Sequence, residues 1–189
     1  MIVIVDNSSN DNSIIEISKT YNLIHTHDNL CEIGISSVYS NINNRITLIS
    51  SVKNRGFAAA NNQGIKYLEN KYSNIDYYWL LNNDTVIEPN TLGQLINSAE
   101  TLEDNIGILG TNLLFMDNPN LIQALGGMYN RYLATCKHIG AFVDKSYYTK
   151  ILEKSKVDYV IGASMLVKKQ FVDTVGYMEE KYFLYFEEL

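Results

Sequence analysis

The chain of 189 residues predicts an α/β fold: a mainly parallel sheet flanked by helices, with a smaller mixed β region in its second half. Three observations predict it. Through residue 103, β-rich apolar runs ending in polar tips alternate with helix-length stretches, the pattern of parallel strands joined by helical crossovers. The run Tyr77–Leu81 is apolar throughout, as befits a strand covered on both faces. Beyond it, turn residues at Asp117–Asn120 and Gly126-Gly127 divide the chain into short β segments. A hydrophobic share of 46% against 19% charged residues supplies one sizeable core. No linker or repeat interrupts the chain, so residues 1–189 are expected to form a single domain.

The first strand is Met1–Val5, ending in Asp6-Asn7-Ser8-Ser9. A helix capped near Asn12 or Ser13 runs to Tyr21 and places Ile14, Ile17 and Tyr21 on one face. Residues 22–44 are polar and lack a clear period; they read as a long connection with a short helix near 30–39. A gap of that length in a compact domain signals an insertion or a missed element. Ile46–Ser50 alternates and is a second strand. Lys53-Asn54-Arg55-Gly56 then turns into a helix over Phe57–Asn70 whose Ala-rich start permits close packing. Tyr77–Leu81 follows, with a polar tip at Asn82-Asn83-Asp84-Thr85, a short extended piece, and a helix from Asn90 or Thr91 to Glu103. Gly107–Leu114 reads as a strand and residues 144–156 as an exposed loop. Val157–Lys168 reads as a strand interrupted at Gly162-Ala163-Ser164, before a helix from Lys169 to Val175 that closes on Gly176. The aromatic run Tyr182–Phe186 is expected to bury on the core ahead of Glu187-Glu188-Leu189.

Composition removes several function classes. A net charge of −6 leaves no basic surplus to neutralise phosphates, so nucleic acid is not the expected main partner. Cys31 and Cys136 form neither a disulfide framework nor a metal-ligand spacing, and they fit a reducing cytoplasm. No signal-peptide pattern opens the chain, and no apolar run approaches the roughly 18–20 residues that cross a bilayer. Peripheral contact with a membrane stays open.

Each candidate site residue has two readings. Asp84 is the carboxylate at the tip of an apolar strand, where open α/β sheets place ligands, and it is the candidate for holding a cation. Taken alone, Asn82-Asn83-Asp84-Thr85 reads more readily as a turn. Asp6 ends the first strand, where an acid accepts hydrogen bonds from a nucleoside or caps a turn. No Gly-x-Gly-x-x-Gly turn accompanies it, which argues against a dinucleotide fold. Gly56 precedes a helix N-terminus and permits either close approach of a diphosphate or a strand-to-helix turn. Asn61 and Asn62, early in that helix, cost helix propensity unless they hydrogen-bond something. Glu187 and Glu188, adjacent acids beside apolar residues, suit a general base or a solvated terminus. His25 and His27 have two-ligand spacing without an evident third and read as surface residues.

As an ordered set, IVIVDNSSNDNS (2–13), NRGFAAANNQGI (54–65), YYWLLNNDTVIEP (77–89) and the segment from Val160 to Leu189 closely resemble the family 2 glycosyltransferases, nearest to rhamnosyltransferase-like enzymes of bacterial cell-surface polysaccharide synthesis. The resemblance implies a GT-A fold, a nucleoside-diphosphate-sugar donor, and a glycan or lipid-linked glycan acceptor at the cytoplasmic face of a membrane. It matches Asp6 to the acid at the nucleoside base, and Asn54 and Gly56 to the loop beside the nucleotide. Asn82-Asn83-Asp84 corresponds to the family's DxD-type motif, with Asp84 on Mg²⁺ or Mn²⁺. Gly162 and Ala163 correspond to the segment lining the sugar and acceptor cleft. Glu187-Glu188 corresponds to the family's Glu-Asp pair, whose second member is the base, here one methylene longer. The family's usual first strand and helix have no counterpart before Met1, and its C-terminal helices none after Leu189. A truncated domain is therefore expected, and a nucleotide-sugar-binding remnant without turnover is the alternative to an inverting enzyme. A nucleotidyltransferase would instead show a Gly-rich basic loop near the first strand.

Overall fold

A computed structural model describes residues 1–26, 30–102 and 106–183, with Cys31 through its backbone alone. Its contacts group into two compact units, Met1–Ile75 with Tyr177–Glu187, and Asp76–Gly176 with Glu188–Leu189.

The first unit runs β1 (Ile2–Asp6), α1 (Ser13–Tyr21), β2 (Ile24–Thr26), β3 (Ile35–Ser40), β4 (Ile46–Ser51) and α2 (Phe57–Lys71). Its sheet has the order β1-β4-β3-β2. β1 lies parallel to β4, with Asp6 opposite Ser50, whereas β3 pairs antiparallel with both β4 and β2. The core gathers Ile35, Val38, Ile49 and Tyr67, with Val3 and Val5 packed against it. Ile49 is fully buried, a contribution of about 1.5–3 kcal/mol for a side chain of its size. Several buried polar groups inside this unit are paired, whereas the Ser18 hydroxyl of α1 is buried with no hydrogen-bond partner among the described residues. Gln63 on α2 accepts from Ser51 Oγ at 2.5 Å and donates to the Gly34 carbonyl at 2.9 Å, tying the helix to the end of β4 and to the turn before β3. Ser40 and Thr47 hydroxyls bond across the buried face at 3.0 Å.

The long connection expected over 22–44 is thus a β hairpin arm. β3 escapes the alternation rule because its register shifts between Ile35 and Ser37, a bulge that sets the buried Ile35 and Val38 three residues apart. That spacing mimics a helix. A three-residue 3₁₀ turn over Cys31–Ile33 is the helical element there.

The second unit runs β5 (Tyr77–Leu81), α3 (Thr91–Thr101), β6 (Ile108–Gly110), β7 (Leu113–Leu114), β8 (Ile122–Ala124), β9 (Gly127–Asn130), β10 (Thr135–His138), α4 (Tyr148–Leu152), β11 (Ser164–Lys168) and α5 (Lys169–Val175). β11 lies between β5 and β6 and is antiparallel to both. α3 covers this sheet through Leu95 and Ala99, which pack with Leu109 and Leu166. β7-β8 and β9-β10 are separate two-stranded ribbons. Trp79 Nε1 donates to Ser164 Oγ at 3.0 Å, so the indole joins a half-buried strand without an orphaned donor.

These pairings correct the expected mainly parallel sheet. Among the described strands, only β1 and β4 run parallel; every other paired set is antiparallel. The alternation of strand and helix identified the elements but not their partners, because β5 pairs with β11, far along the chain, instead of with a preceding strand. The strand expected over Gly107–Leu114 divides because β6 joins β11 while β7 joins β8. Val157–Lys168 is a strand from Ser164 onward; before that, Tyr159 makes a single bridge to Gly127. The expected loop over 144–156 contains a 3₁₀ turn capped by Asp144 and the helix α4, whose Ile151 and Leu152 pack on Ile122, Leu125 and Ile139. Tyr182 and Phe183 are exposed rather than buried, and residues 184–186 lie outside the described residues. No helix among the described residues is long and apolar enough to cross a membrane.

Candidate functional site

In the first unit the carboxyl ends of the two parallel strands lie side by side. Asp6, at the end of β1, is buried, and its Oδ2 accepts from Ser50 Oγ and from the Ser9 amide, both at 3.3 Å. The next residue connects strand and loop. Asn7 Nδ2 donates to Asn54 Oδ1 at 3.0 Å and to the Gly56 carbonyl at 3.1 Å, while its Oδ1 accepts from the Arg55 amide at 3.4 Å. Asn54 Oδ1 also accepts from the Gly56 amide at 3.0 Å. Asn7 thus ties Asn54 and Gly56 to the end of the strand that carries Asp6. Asn7 was not singled out from the sequence. Its signal was its place directly after Asp6 at a strand end, where a side-chain amide can answer backbone groups of a neighbouring loop.

Gly56 has φ +88° and begins α2 with no side-chain cap. A Cβ built there would lie 2.1 Å from the Phe183 carbonyl oxygen, and that carbonyl accepts from the Phe57 amide at 3.2 Å. Close approach thus serves the chain's own segment 177–183, which returns over the start of α2. Gly56→Ala should destabilise the fold by at least about 2 kcal/mol, from the disfavoured φ and the displaced carbonyl together. Equilibrium denaturant unfolding measures this, and an unchanged midpoint would contradict the contact.

The same segment is clamped by Asn62. Its side chain is buried on α2; Nδ2 donates to the Met178 carbonyl at 2.9 Å and to Glu180 Oε1 at 3.0 Å, and Oδ1 accepts from the Met178 amide at 3.1 Å. Leaving one such buried group unmatched costs about 1–3 kcal/mol, which accounts for an amide in the middle of an apolar helix face. Glu180 also pairs with Arg55 at 2.5 Å, a partly exposed contact that contributes little by itself. Asn61, by contrast, bonds the Phe57 carbonyl within its own helix.

In the second unit β5 ends in a tight turn. The Thr85 amide and hydroxyl both donate to the Asn82 carbonyl, at 3.3 and 2.7 Å. The Asn82 amide donates to the Ala163 carbonyl at 3.0 Å, one step beyond the Ser164–Leu81 pair of the β11–β5 ladder. Asn82, Asn83 and Asp84 are thereby held next to the turn containing Gly162 and Ala163. Asn83 and Asp84 are exposed, and the Asp84 carboxylate accepts no hydrogen bond among the described residues. A hard cation requires such an oxygen donor, free to bind. Among the described residues no group of three or more His, Cys, Asp or Glu is placed to hold a metal. Asp84 is thus the residue of this turn that would hold a cation, as a single carboxylate. His25 meets Tyr39 edge-on at 5.1 Å between ring centroids, and His27 lies outside the described residues.

The model of glycosyl transferase family 2 matches residues 1–176. The chain belongs to glycosyl transferase family 2. Membership makes it a glycosyltransferase with a GT-A-type α/β fold, using nucleotide-sugar donors and an acceptor. No curated protein matches the chain significantly. Glu187 and Glu188 lie beyond the matched span and outside the described residues.

Proposed function

We propose that this family member transfers a sugar with inversion from a nucleoside-diphosphate sugar to a hydroxyl of a glycan or lipid-linked glycan. The setting is cell-surface polysaccharide synthesis at the cytoplasmic face of a membrane, residues 1–189 acting as one rhamnosyltransferase-like domain. The observation that carries the reading is the tip of β5. It offers an exposed, unengaged carboxylate at Asp84, on a turn held by Thr85 and by the Ala163 carbonyl.

In this reading Asp6, Asn54 and Gly56 take the nucleotide, while Asn82, Asn83, Gly162 and Ala163 line the sugar. Asp84 holds Mg²⁺ or Mn²⁺. When bound, the ion neutralises negative charge gathering on the departing diphosphate. The acceptor oxygen attacks the anomeric carbon and gives its proton to Glu188, the bond from that carbon to the diphosphate oxygen breaks, and the nucleoside diphosphate leaves. Glu187 supports its neighbour as the other member of the pair. One displacement inverts the configuration, and no second carboxylic acid is needed because diphosphate is already a good leaving group.

Nucleotide binding tests the first part. A nucleoside diphosphate with Mn²⁺, at about a hundred times its dissociation constant, should stabilise the chain by about 2.7 kcal/mol. Asp6→Asn keeps the shape and the Ser50 contact but removes the charge, and should weaken binding about tenfold or more. Thermal unfolding with and without nucleotide, each variant against its own baseline, measures this. An equal shift in both proteins would remove Asp6 from the site.

A further inference from the structure

The β9-β10 ribbon presents an apolar tip that is exposed among the described residues. All of Thr135–His138 is exposed, and a two-stranded ribbon with so little burial gains little stability in water by itself. Its tip is nevertheless fixed. Asn130 Oδ1 accepts from the amides of Tyr132 and Leu133 at 3.0 and 3.2 Å, and Ala134 takes φ +50° to close the turn. Tyr132 and Leu133 are held outward, 83% and 71% exposed. The Arg131 guanidinium lies 5.0 Å from the Tyr132 ring centroid and donates to its hydroxyl at 3.0 Å. Lys137 projects on the same ribbon, opposite Met128.

Charge is partitioned in the same place. From Met128 to Val157 the chain holds six of its 15 Lys and Arg but only two of its 21 Asp and Glu, and from Met128 to Val143 it holds no acid at all. Elsewhere the chain of net charge −6 is acidic, and Asp158, just past this segment, accepts from the Tyr129 amide of β9 at 3.0 Å and pairs with Lys156 at 3.0 Å, so the basic surplus at the tip rests on Arg131 and Lys137.

We propose that the β9-β10 tip docks the protein on an anionic lipid surface. Tyr132 and Leu133 enter the headgroup region, and Arg131 and Lys137 meet lipid phosphates. A tyrosine with an apolar ring and a wet hydroxyl suits that boundary, as do cations on long apolar stems. Each basic residue near an anionic surface adds to the attraction, which salt screens. A second copy of the chain is the weaker occupant: two projecting side chains cannot supply the roughly 1,200–2,000 Å² that a stable protein interface buries. This inference rests on the membrane setting of the proposed function and does not depend on turnover.

Co-sedimentation of the full chain with vesicles tests it. The protein should bind phosphatidylcholine vesicles carrying about 30% phosphatidylglycerol, bind pure phosphatidylcholine far less, and be released at about 0.5 M salt. Tyr132→Ser with Leu133→Ser should lower the bound fraction about tenfold at an unchanged melting temperature, since both side chains are exposed. Arg131→Glu with Lys137→Glu should abolish the preference for anionic vesicles. Absence of binding, equal binding to both vesicle types, or wild-type binding by the tip variant would overturn the proposal. So would light scattering that showed a dimer lost on tip substitution without vesicle binding.

Discussion

Asp84→Ala is expected to lower sugar transfer by about 10²–10³-fold, the scale of removing one fixed electrostatic partner of a developing charge. Donor binding should weaken in parallel, because on the proposed reading the carboxylate would hold the cation that neutralises the diphosphate. Folding should be nearly untouched, since Asp84 is exposed and the turn is held by Thr85 and the Asn82 carbonyl instead. Asp84→Asn separates charge from shape: an amide keeps a neutral oxygen but loses the charge a hard cation prefers. It should recover little activity, and excess Mn²⁺ should restore part of it. Steady-state rates across a Mn²⁺ titration, with circular dichroism as the folding control, give the comparison. Full activity in Asp84→Ala would remove the cation from this turn.

Glu188→Gln is expected to lower the turnover number by about 10²–10⁴-fold at nearly constant donor KM, the range for loss of a general base. The substitution preserves size and hydrogen-bonding reach and removes only the proton acceptor. Glu187→Gln should cost much less, because only one carboxylate takes the proton in a single displacement. Glu188→Asp restores the residue more usual in the family motif and should retain activity. A larger loss from Glu187→Gln than from Glu188→Gln would exchange their roles. The pH dependence carries a second signature: the acid limb of the wild-type rate profile should vanish in Glu188→Gln.

Legibility followed the kind of interaction that places each residue. α1 and β5 were readable end to end, because the unbroken apolar run of Tyr77–Leu81 and the amphipathic spacing in Ser13–Tyr21 are local properties, although within β5 only Tyr78 is buried and Leu81 is exposed. β3 was not, because its bulge set Ile35 and Val38 at a helical spacing and its other buried position, Ser40, is polar and satisfied by Thr47. Strand partners were equally out of reach: the sequence around Tyr77–Leu81 carries no mark that β11, some eighty residues later, would lie beside it.

The candidate site shows the same division. Asp6, Asn54 and Gly56 are legible as strand-end and turn residues, and the hydrogen bonds of Asn7, next to Asp6, join Asn54 and Gly56 to that strand end. The cost of placing Asn62 in a helix was evident from sequence, but its partners Met178 and Glu180 lie more than a hundred residues away. Exposure of Tyr182 and Phe183 ran against their composition because backbone bonding to Phe57, rather than ring burial, anchors that segment.

Release of nucleoside diphosphate from a panel of nucleoside-diphosphate sugars, with Mn²⁺ and then with chelator, tests the central claim most directly. The account predicts release from at least one donor that stops when the cation is removed and falls by at least about a hundredfold in Asp84→Ala. Release that is indifferent to both chelator and Asp84, or no release from any donor, would contradict it.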